Sequence, residues 1–365
     1  MKFTAERTAL ADAVARVGRA VSTRTGALPV LSGLRLSVDE GRLELVGTDL
    51  ELTIRSSVAV DGGLEEPIVL PARLLSDVVR ELAGDRVTIE VTDDEARIES
   101  GRASITLRTL AASDFPRLSE IEGSGVRLDA EAFEVALRQV VRAASSDDAR
   151  PILTGVLLTA SAGGLRLVAT DSYRLAVRDL PGVSMLDEGQ KVLVAAKGLG
   201  EVQRLIEKGE VEVVLSEREV VFRVDGTEVT TRLIEGDFPN YEQLIPPSYP
   251  NKLTVAREVF ADAVKRVRLV GQGRDNAPVR VAMTSTGVEL SAVAQDVGEA
   301  HEEIEAKHEG GDVTVAFNSQ FLLDGVEAVG AEEITIETID PLKPAVMRGA
   351  GVTEYLYLLM PVRIS

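Results

Sequence analysis

The sequence has no cysteine, no tryptophan and only two histidines. Disulfides, thiolate nucleophiles and cysteine metal sites are therefore excluded, and a cytoplasmic location is the expectation. Aromatic residues make up 4% of the chain, so its core must be built from Val, Leu, Ile and Ala. No apolar run approaches the roughly 18 residues that a membrane helix needs. The opening MKFTAERTAL lacks the apolar centre of a secretory signal, so no membrane partner is expected. Basic residues are the minority, 40 against 59 acids, for a net charge of −19. That balance argues against a protein that grips nucleic acid through a broad basic surface. What is present is 365 residues, 45% hydrophobic and 27% charged, an ordinary globular composition with room for two or three domains.

The chain repeats itself at a long period. GRLELVGTDLELTIRS from Gly41 matches GGLRLVATDSYRLAVRD from Gly163, which places Thr48-Asp49 and Thr170-Asp171 122 positions apart. Phe115-Pro116 and Phe238-Pro239 are 123 apart. A weaker third copy, GVELSAVAQDVGEAHEEI from Gly287, has Gln295-Asp296 in place of Thr-Asp. Segments starting at Phe3, Leu128 and Leu253 are 125 residues apart, and each carries apolar residues at i, i+3, i+4 and i+7. A second helical segment follows an apolar strand in each copy: ARLLSDVVREL after PIVLP, KGLGEVQRLI after KVLVA, NSQFLLDGVEAV after DVTVAF. The remainder alternates as strands with turns between them. Three similar domains are predicted, at 1–120, 121–248 and 249–365, each with two helices packed on sheet.

Over residues 3–24, 72–82, 131–142, 197–208, 257–268 and 318–329 the predicted helices carry a net +3, which leaves −22 on the strands and loops. A surface made of the helices would be far less negative than the rest. The last helix, with Asp324 and Glu327, runs against that trend. No catalytic constellation emerges. His301 and His308 flank EEIEAK in a segment read as one strand, where a separation of seven puts them on opposite faces. Asp93-Asp94 and Asp147-Asp148 read as turn or helix-end pairs, and GQGRDN from Gly271 as a loop without the strand and helix that a nucleotide site requires. The repeated Thr-Asp reads as a turn in which Asp accepts backbone N–H groups. No metal, no cofactor and no enzymatic activity are expected.

Several motifs in order carry a resemblance over essentially the whole chain: MKFT.ER, LPVLSGLRL, GTDLE, LPAR, the first DFP, TDSYRLAV, DFPNY followed by LIP, and the terminal LLMPVR. Together they resemble the family of bacterial DNA polymerase III beta subunits, the sliding clamps. The resemblance implies an α+β DNA-clamp fold of three repeated domains, each with two helices packed against antiparallel sheets, and a homodimer joined head to tail in a ring. Twelve helices would line the hole and sheets would form the outer wall. It implies a processivity factor that encircles double-stranded DNA without regard to sequence and has no catalysis of its own. Its implied partners are the DNA polymerase III alpha subunit, the clamp loader, and other proteins with a clamp-binding motif, such as repair polymerases, ligase and mismatch-repair proteins.

By the same resemblance, the carboxyl tail forms a wall of a peptide-binding cleft between the second and third domains. Position by position, the cleft would comprise Leu153, Thr170, Ser172, Tyr173, Arg174 and Leu175, then Pro239, Gln243 and Leu244. Pro344, Val346, Leu359, Met360, Pro361, Val362 and Arg363 would complete it. Pro361 is expected to end the pairing of an edge strand. DNA contacts map to Arg24, Arg73, Arg150 and Lys197. The dimer interface maps to Ile105 and Leu107 on one chain and Leu269 and Val270 on the other. The chain departs from well-known members in having Pro151-Ile152 for an aromatic pair, Ser172-Tyr173 for Gly-His, Gln243 for Arg, and Asn276 near a familiar Phe. Competing readings are an accessory or regulatory clamp paralogue, such as a drug-resistance copy, and a clamp-fold structural protein that does not encircle DNA.

Overall fold

A computed structural model describes residues 1–22, 28–118, 121, 123–161, 163–271, 278–294 and 297–363. Arg24, Asn276, most of the GQGRDN segment and Gln295-Asp296 lie outside the described residues. Two compact units are present, one of residues 1–131 with 200–233, the other of 132–199 with 234–365. None of the described helices is long and apolar enough to cross a membrane.

Six helices occur among the described residues: α1 (Arg7–Val17), α2 (Ala72–Glu81), α3 (Ala130–Val140), α4 (Ala196–Leu205), α5 (Arg257–Val267) and α6 (Ser319–Ala328). Each starts at the residue after a strand ends, as the repeats predict for α2, α4 and α6; before α1, α3 and α5 the strand takes the start of a segment read as helical. At α1 and α6 a side-chain cap makes the switch from strand to helix. The Glu6 carboxylate accepts from Thr8 N (2.9 Å) and Ala9 N (2.5 Å), which holds it below the ordinary Glu pKa. Asn318 Oδ1 accepts from Gln320 N (2.9 Å) and Phe321 N (3.0 Å) at the start of α6. The helical spacing of Leu10, Ala13, Val14 and Val17 in α1 recurs as Phe260, Ala263, Val264 and Val267 in α5, and all eight are buried.

The first unit is built on a twelve-stranded antiparallel sheet with Ala103–Arg108 at one end and Val126–Asp129 at the other. Its longest strand, Leu52–Gly63, pairs with Thr227–Thr231 through its first half and with Lys2–Ala5 through its second. The second unit holds a nine-stranded sheet that ends on Lys191–Ala195 and Lys307–Glu309. It also holds a four-stranded sheet in which Gly298–Ile304 is terminal. The Thr-Asp turns are twins. Asp49 Oδ1 accepts from Glu51 N (3.1 Å) and Leu52 N (2.8 Å), and Asp171 Oδ1 from Tyr173 N (2.9 Å) and Arg174 N (3.0 Å). Thr48 and Thr170 each donate to the carbonyl four residues on. Leu50 and Ser172 hold φ near +78° and +79° at the same place in the turn.

Four expectations change. The segment from Phe3 to Arg24 is not one helix, because Lys2–Glu6 is a strand and α1 ends at Val17. Within their true bounds the six helices carry ten basic and ten acidic residues, so their net charge is zero rather than +3. His301 and His308 do not share a strand. His301 lies opposite Ser291 in Gly298–Ile304, and His308 lies opposite Leu253 in Lys307–Glu309.

A fourth change concerns the tail. Tyr355–Leu359 is an internal strand, paired with Arg174–Arg178 on one side and Ala345–Met347 on the other, and all five residues are buried. A strand covered on both faces reads as a continuous apolar run. Pairing also continues past Pro361, since Met360 N donates to Tyr173 O and Val362 N to Ala316 O, both at 2.8 Å. Proline simply occupies the one position between them where no donor is used.

Two predictions follow from this packing. A Cβ on Gly325 of α6 would sit 2.5 Å from the Tyr357 ring and 2.4 Å from Met347 Cε. Gly→Ala in a helix ordinarily gains stability, but Gly325→Ala is expected to lose about 1–3 kcal/mol through overpacking, read by urea denaturation. His301 Nδ1 lies 2.9 Å from Glu289 Oε1, with Glu299 at 3.6 Å, and its pKa is raised by these carboxylates. A raised folded pKa stabilises fully below the unfolded value of about 6.5 and ceases to do so as pH climbs through the folded value. The stability difference between wild type and His301→Gln should therefore shrink as pH rises from about 5.5 to about 8.5.

Candidate functional site

The tail strand contributes to two faces of the nine-stranded sheet, because successive residues alternate. On one face Leu356 and Leu358 join Leu157, Val168, Leu175, Val177, Leu193 and Val346 in a buried apolar cluster. The segment after strand Thr227–Arg232 crosses this face, with Ile234, Phe238, Tyr241, Ile245 and Tyr249 packed on it. Phe238 and Tyr241 meet edge to face at 6.4 Å. Arg166 Nε and Nη2 bind the two oxygens of Asp179 at 2.7 and 2.9 Å, which raises the Arg166 pKa.

The opposite face carries Tyr355 and Tyr357, both fully or almost fully buried, whose hydroxyls donate to Gln139 O (3.3 Å) and Phe321 O (2.9 Å). Burial pushes both phenols above their ordinary pKa. Arg174 lies among them. Its Nε is 3.0 Å from Asp171 Oδ2, its Nη1 is 2.5 Å from Asp324 Oδ2, and its guanidinium stacks 4.2 Å over the Phe321 ring. Burial opposes the Arg174 charge, but Tyr357, Asp324 and Asp171 outweigh it and its pKa is raised. This buried triad fastens the turn at Asp171–Arg174 to α6. Glu327, on the same helix, is within 3.7 Å of Arg142 and 3.2 Å of Lys265. Both acids of α6 are thus neutralised by structural partners.

The sequence-derived candidates separate into a buried set and a surface set. Leu153, Thr170, Arg174, Leu175, Val346 and Leu359 are buried. Leu153 sits in the turn Pro151–Thr154 and accepts from Ser145 N at 2.8 Å. Ser172, Tyr173, Pro239, Gln243, Leu244, Met360 and Arg363 are exposed, while Pro344, Pro361 and Val362 are partly so. Tyr173 is 60% exposed, Leu244 44% and Met360 36%, high values for large apolar side chains. Tyr173 also stacks on Phe321, with ring centroids 6.5 Å apart. Sequence reasoning missed Leu358, which faces the apolar cluster where Leu359 faces the helices. It also missed Phe321 and Asp324, whose approach to Arg174 spans 150 positions of sequence.

Of the other candidates, Arg73 is exposed on α2 in the first unit. Arg150 and Lys197 are exposed in the second. Arg150 bonds Asp147 Oδ2 (3.0 Å) and Ser172 Oγ (3.3 Å). Ile105 and Leu107 lie in Ala103–Arg108, the terminal strand of the twelve-stranded sheet, with Leu107 buried. Leu269 is 55% exposed in the turn Arg268–Gly271 that follows α5, and Val270 is partly buried beside it.

Known proteins match the chain along its whole length. Residues 1–119, 127–240 and 242–363 match the N-terminal, central and C-terminal domains of the DNA polymerase III beta subunit. The beta sliding clamp of Streptomyces coelicolor is 34% identical, with 100% of both chains covered. That of Staphylococcus aureus is 28% identical over 100% of this chain and 99% of its own. Among solved structures, the beta subunit from Thermotoga maritima superposes with a TM-score of 0.89 at 26% identity, with 100% of each chain covered. A Pseudomonas aeruginosa sliding clamp bound to griselimycin gives 0.89 at 30% identity, also with 100% of each chain covered. The chain belongs to the DNA polymerase III beta subunit family, the beta sliding clamps.

Proposed function

We infer that this protein is a DNA polymerase processivity factor: a sliding clamp that closes as a ring around duplex DNA and tethers polymerase III and other partners by a short peptide. The observation that carries the docking role is the tail. Its strand is locked inside the sheet, Met360 N donates to Tyr173 O at its end, and both side chains stand exposed, as does Leu244 in the segment that crosses the sheet. A linear peptide can place one or two apolar side chains on such a surface, with Met adapting to their shape. Leu175, Leu358 and Val346 supply the rigid floor beneath. Pro239, Gln243, Pro361, Val362 and Arg363 would form its rim.

The reading of three domains at 1–120, 121–248 and 249–365 rests on the sequence repeats. Ring closure would pair the free edge of Ala103–Arg108 in one chain with the free edge of Gly298–Ile304 in another, with Leu269 and Val270 packing beside Ile105 and Leu107. The chemistry of the two edges is complementary. Arg102 and Arg108 lie at the two ends of the first, and Glu299, Glu302 and Glu303 in the second. Such pairing hides two sticky edges at once and closes after two subunits. Arg24, Arg73, Arg150 and Lys197 would meet DNA phosphates, largely through water. A loose grip is sufficient, because a closed ring holds DNA by topology. The DNA polymerase III alpha subunit, a clamp loader, repair polymerases, ligase and mismatch-repair proteins are the proposed partners, and no catalytic step is assigned to the chain. The zero net charge of the six helices favours, as a second reading, a clamp-fold protein that does not encircle DNA.

The docking role is tested by peptide titration. The probe is a pentapeptide of Gln, two small or polar residues and two apolar ones. Truncation within Tyr355–Leu359 would remove a buried central strand and unfold the unit, so the informative variant is Met360→Asp, at an exposed position. Micromolar binding to the wild type, weakened about tenfold or more in Met360→Asp with unchanged thermal stability, is expected. Equal binding by the two proteins would place the peptide elsewhere.

A further inference from the structure

The internal repeat places a second, chemically different groove in the first unit. In the second unit, Leu157, Val168, Val177 and Leu356 lie directly opposite one another across four strands and form an all-apolar row. The loop bearing Phe238 and Tyr241 closes over it. The same register in the first unit holds Arg35, Val46, Arg55 and Glu228. The row then continues through Arg223 and Glu212. Its charges alternate and pair as they go: Arg223 is 3.1 Å from Glu228 and 3.3 Å from Glu212, and Arg55 is 3.9 Å from Glu228.

The alternation breaks at Val46. There two guanidiniums flank an apolar residue, and no carboxylate stands between them in the row. Arg35 turns instead to Glu44 at 3.6 Å, an exposed pair of little intrinsic strength. The equivalent of the Phe238 loop, at Phe115 and Leu118, packs on Val46, and the neighbouring Arg117 is exposed and has no ionic partner among the described residues. Because arginines cannot be sealed under an apolar loop as Leu157 and Val177 are, a cavity of about 360 Å³ remains. Among the described residues Arg35, Arg55 and Arg117 line it, against Glu44 as the one acid, over a floor of Val46, Phe115 and Leu118.

We propose that this cavity is a second docking site, for a protein segment in which a carboxylate adjoins a bulky apolar side chain. With Arg55 paired to Glu228 and Arg35 to Glu44, the unpaired Arg117 leaves the described lining cationic on a chain of net charge −19. A carboxylate completes the alternation above Val46 and can accept a forked pair of N–H donors. The apolar floor then takes the adjoining Leu or Phe. A bare phosphate would leave that floor wet, and a nucleic-acid strand would meet the repulsion of a chain whose net charge is −19. The site lies wholly within the first unit and does not depend on the docking role proposed for the tail.

The test uses the full chain and fluorescein-labelled acetyl-Gly-Glu-Leu-Phe-Gly amide, with its Glu→Gln counterpart as control. Binding is expected to weaken about tenfold for the Gln peptide, and by a similar factor in Arg117→Ser and in Arg35→Ser. It is expected to be unchanged in Met360→Asp, which separates this site from the tail. Equal affinity for the two peptides, no binding at millimolar peptide, or binding abolished by Met360→Asp and kept by Arg117→Ser would each overturn the proposal. Displacement of the peptide by inorganic phosphate at equal concentration would overturn the peptide assignment in favour of a simple anion site.

Discussion

The structure of the second unit depends on one strand at the end of the chain. Tyr355–Leu359 joins Arg174–Arg178 to Ala345–Met347 and completes a nine-stranded sheet. Burial of each large apolar side chain in it contributes on the order of 1.5–3 kcal/mol. Its two faces serve different ends. Leu356 and Leu358 finish the apolar floor, while Tyr355 and Tyr357 send their hydroxyls to the backbone of α3 and α6. The exposed residues that follow are therefore held on rigid backbone, as the docking role proposed for them requires.

The buried triad of Arg174, Asp171 and Asp324 supports the same surface from below. A buried ion pair is weak evidence for stability, since desolvation offsets much of the attraction. What this one supplies is position: it fixes the turn that presents Ser172 and Tyr173 against α6, and the Phe321 ring lies both under the guanidinium and beside Tyr173. The first unit uses the same turn, with Thr48 and Asp49, but has Leu52 where Arg174 stands, and its row of opposing residues is charged. Duplication thus kept the backbone device and changed the chemistry around it.

Much of this was legible in the sequence. The 3.6-residue period located the six described helices, because each buries one stripe against sheet, but it ran the first of them over the strand Lys2–Glu6 and past Val17. The Thr-Asp turns were readable because their hydrogen bonds are local. The tail announced itself as an apolar run, but such a run carries no period. Its place inside the sheet, and the division of Leu358 from Leu359, could not be read from it. Arg174 and Asp324 are 150 positions apart, so their pairing belongs to the fold and not to any motif. The same distance effect made the acids of α6 look like a surface charge when both are engaged with Arg and Lys partners.

The neutrality of the helices and the chain's net charge of −19 lead to a specific physical account of how DNA is held. Without a strongly cationic lining, affinity for phosphate is low, and retention must come from a closed ring. The most direct measurement is retention of the protein, loaded by its clamp loader, on a nicked circular plasmid passed through a sizing column, before and after the plasmid is cut once. The account predicts co-elution with the circle and release on linearisation. Equal retention on circular and linear DNA, or none on either, would contradict it.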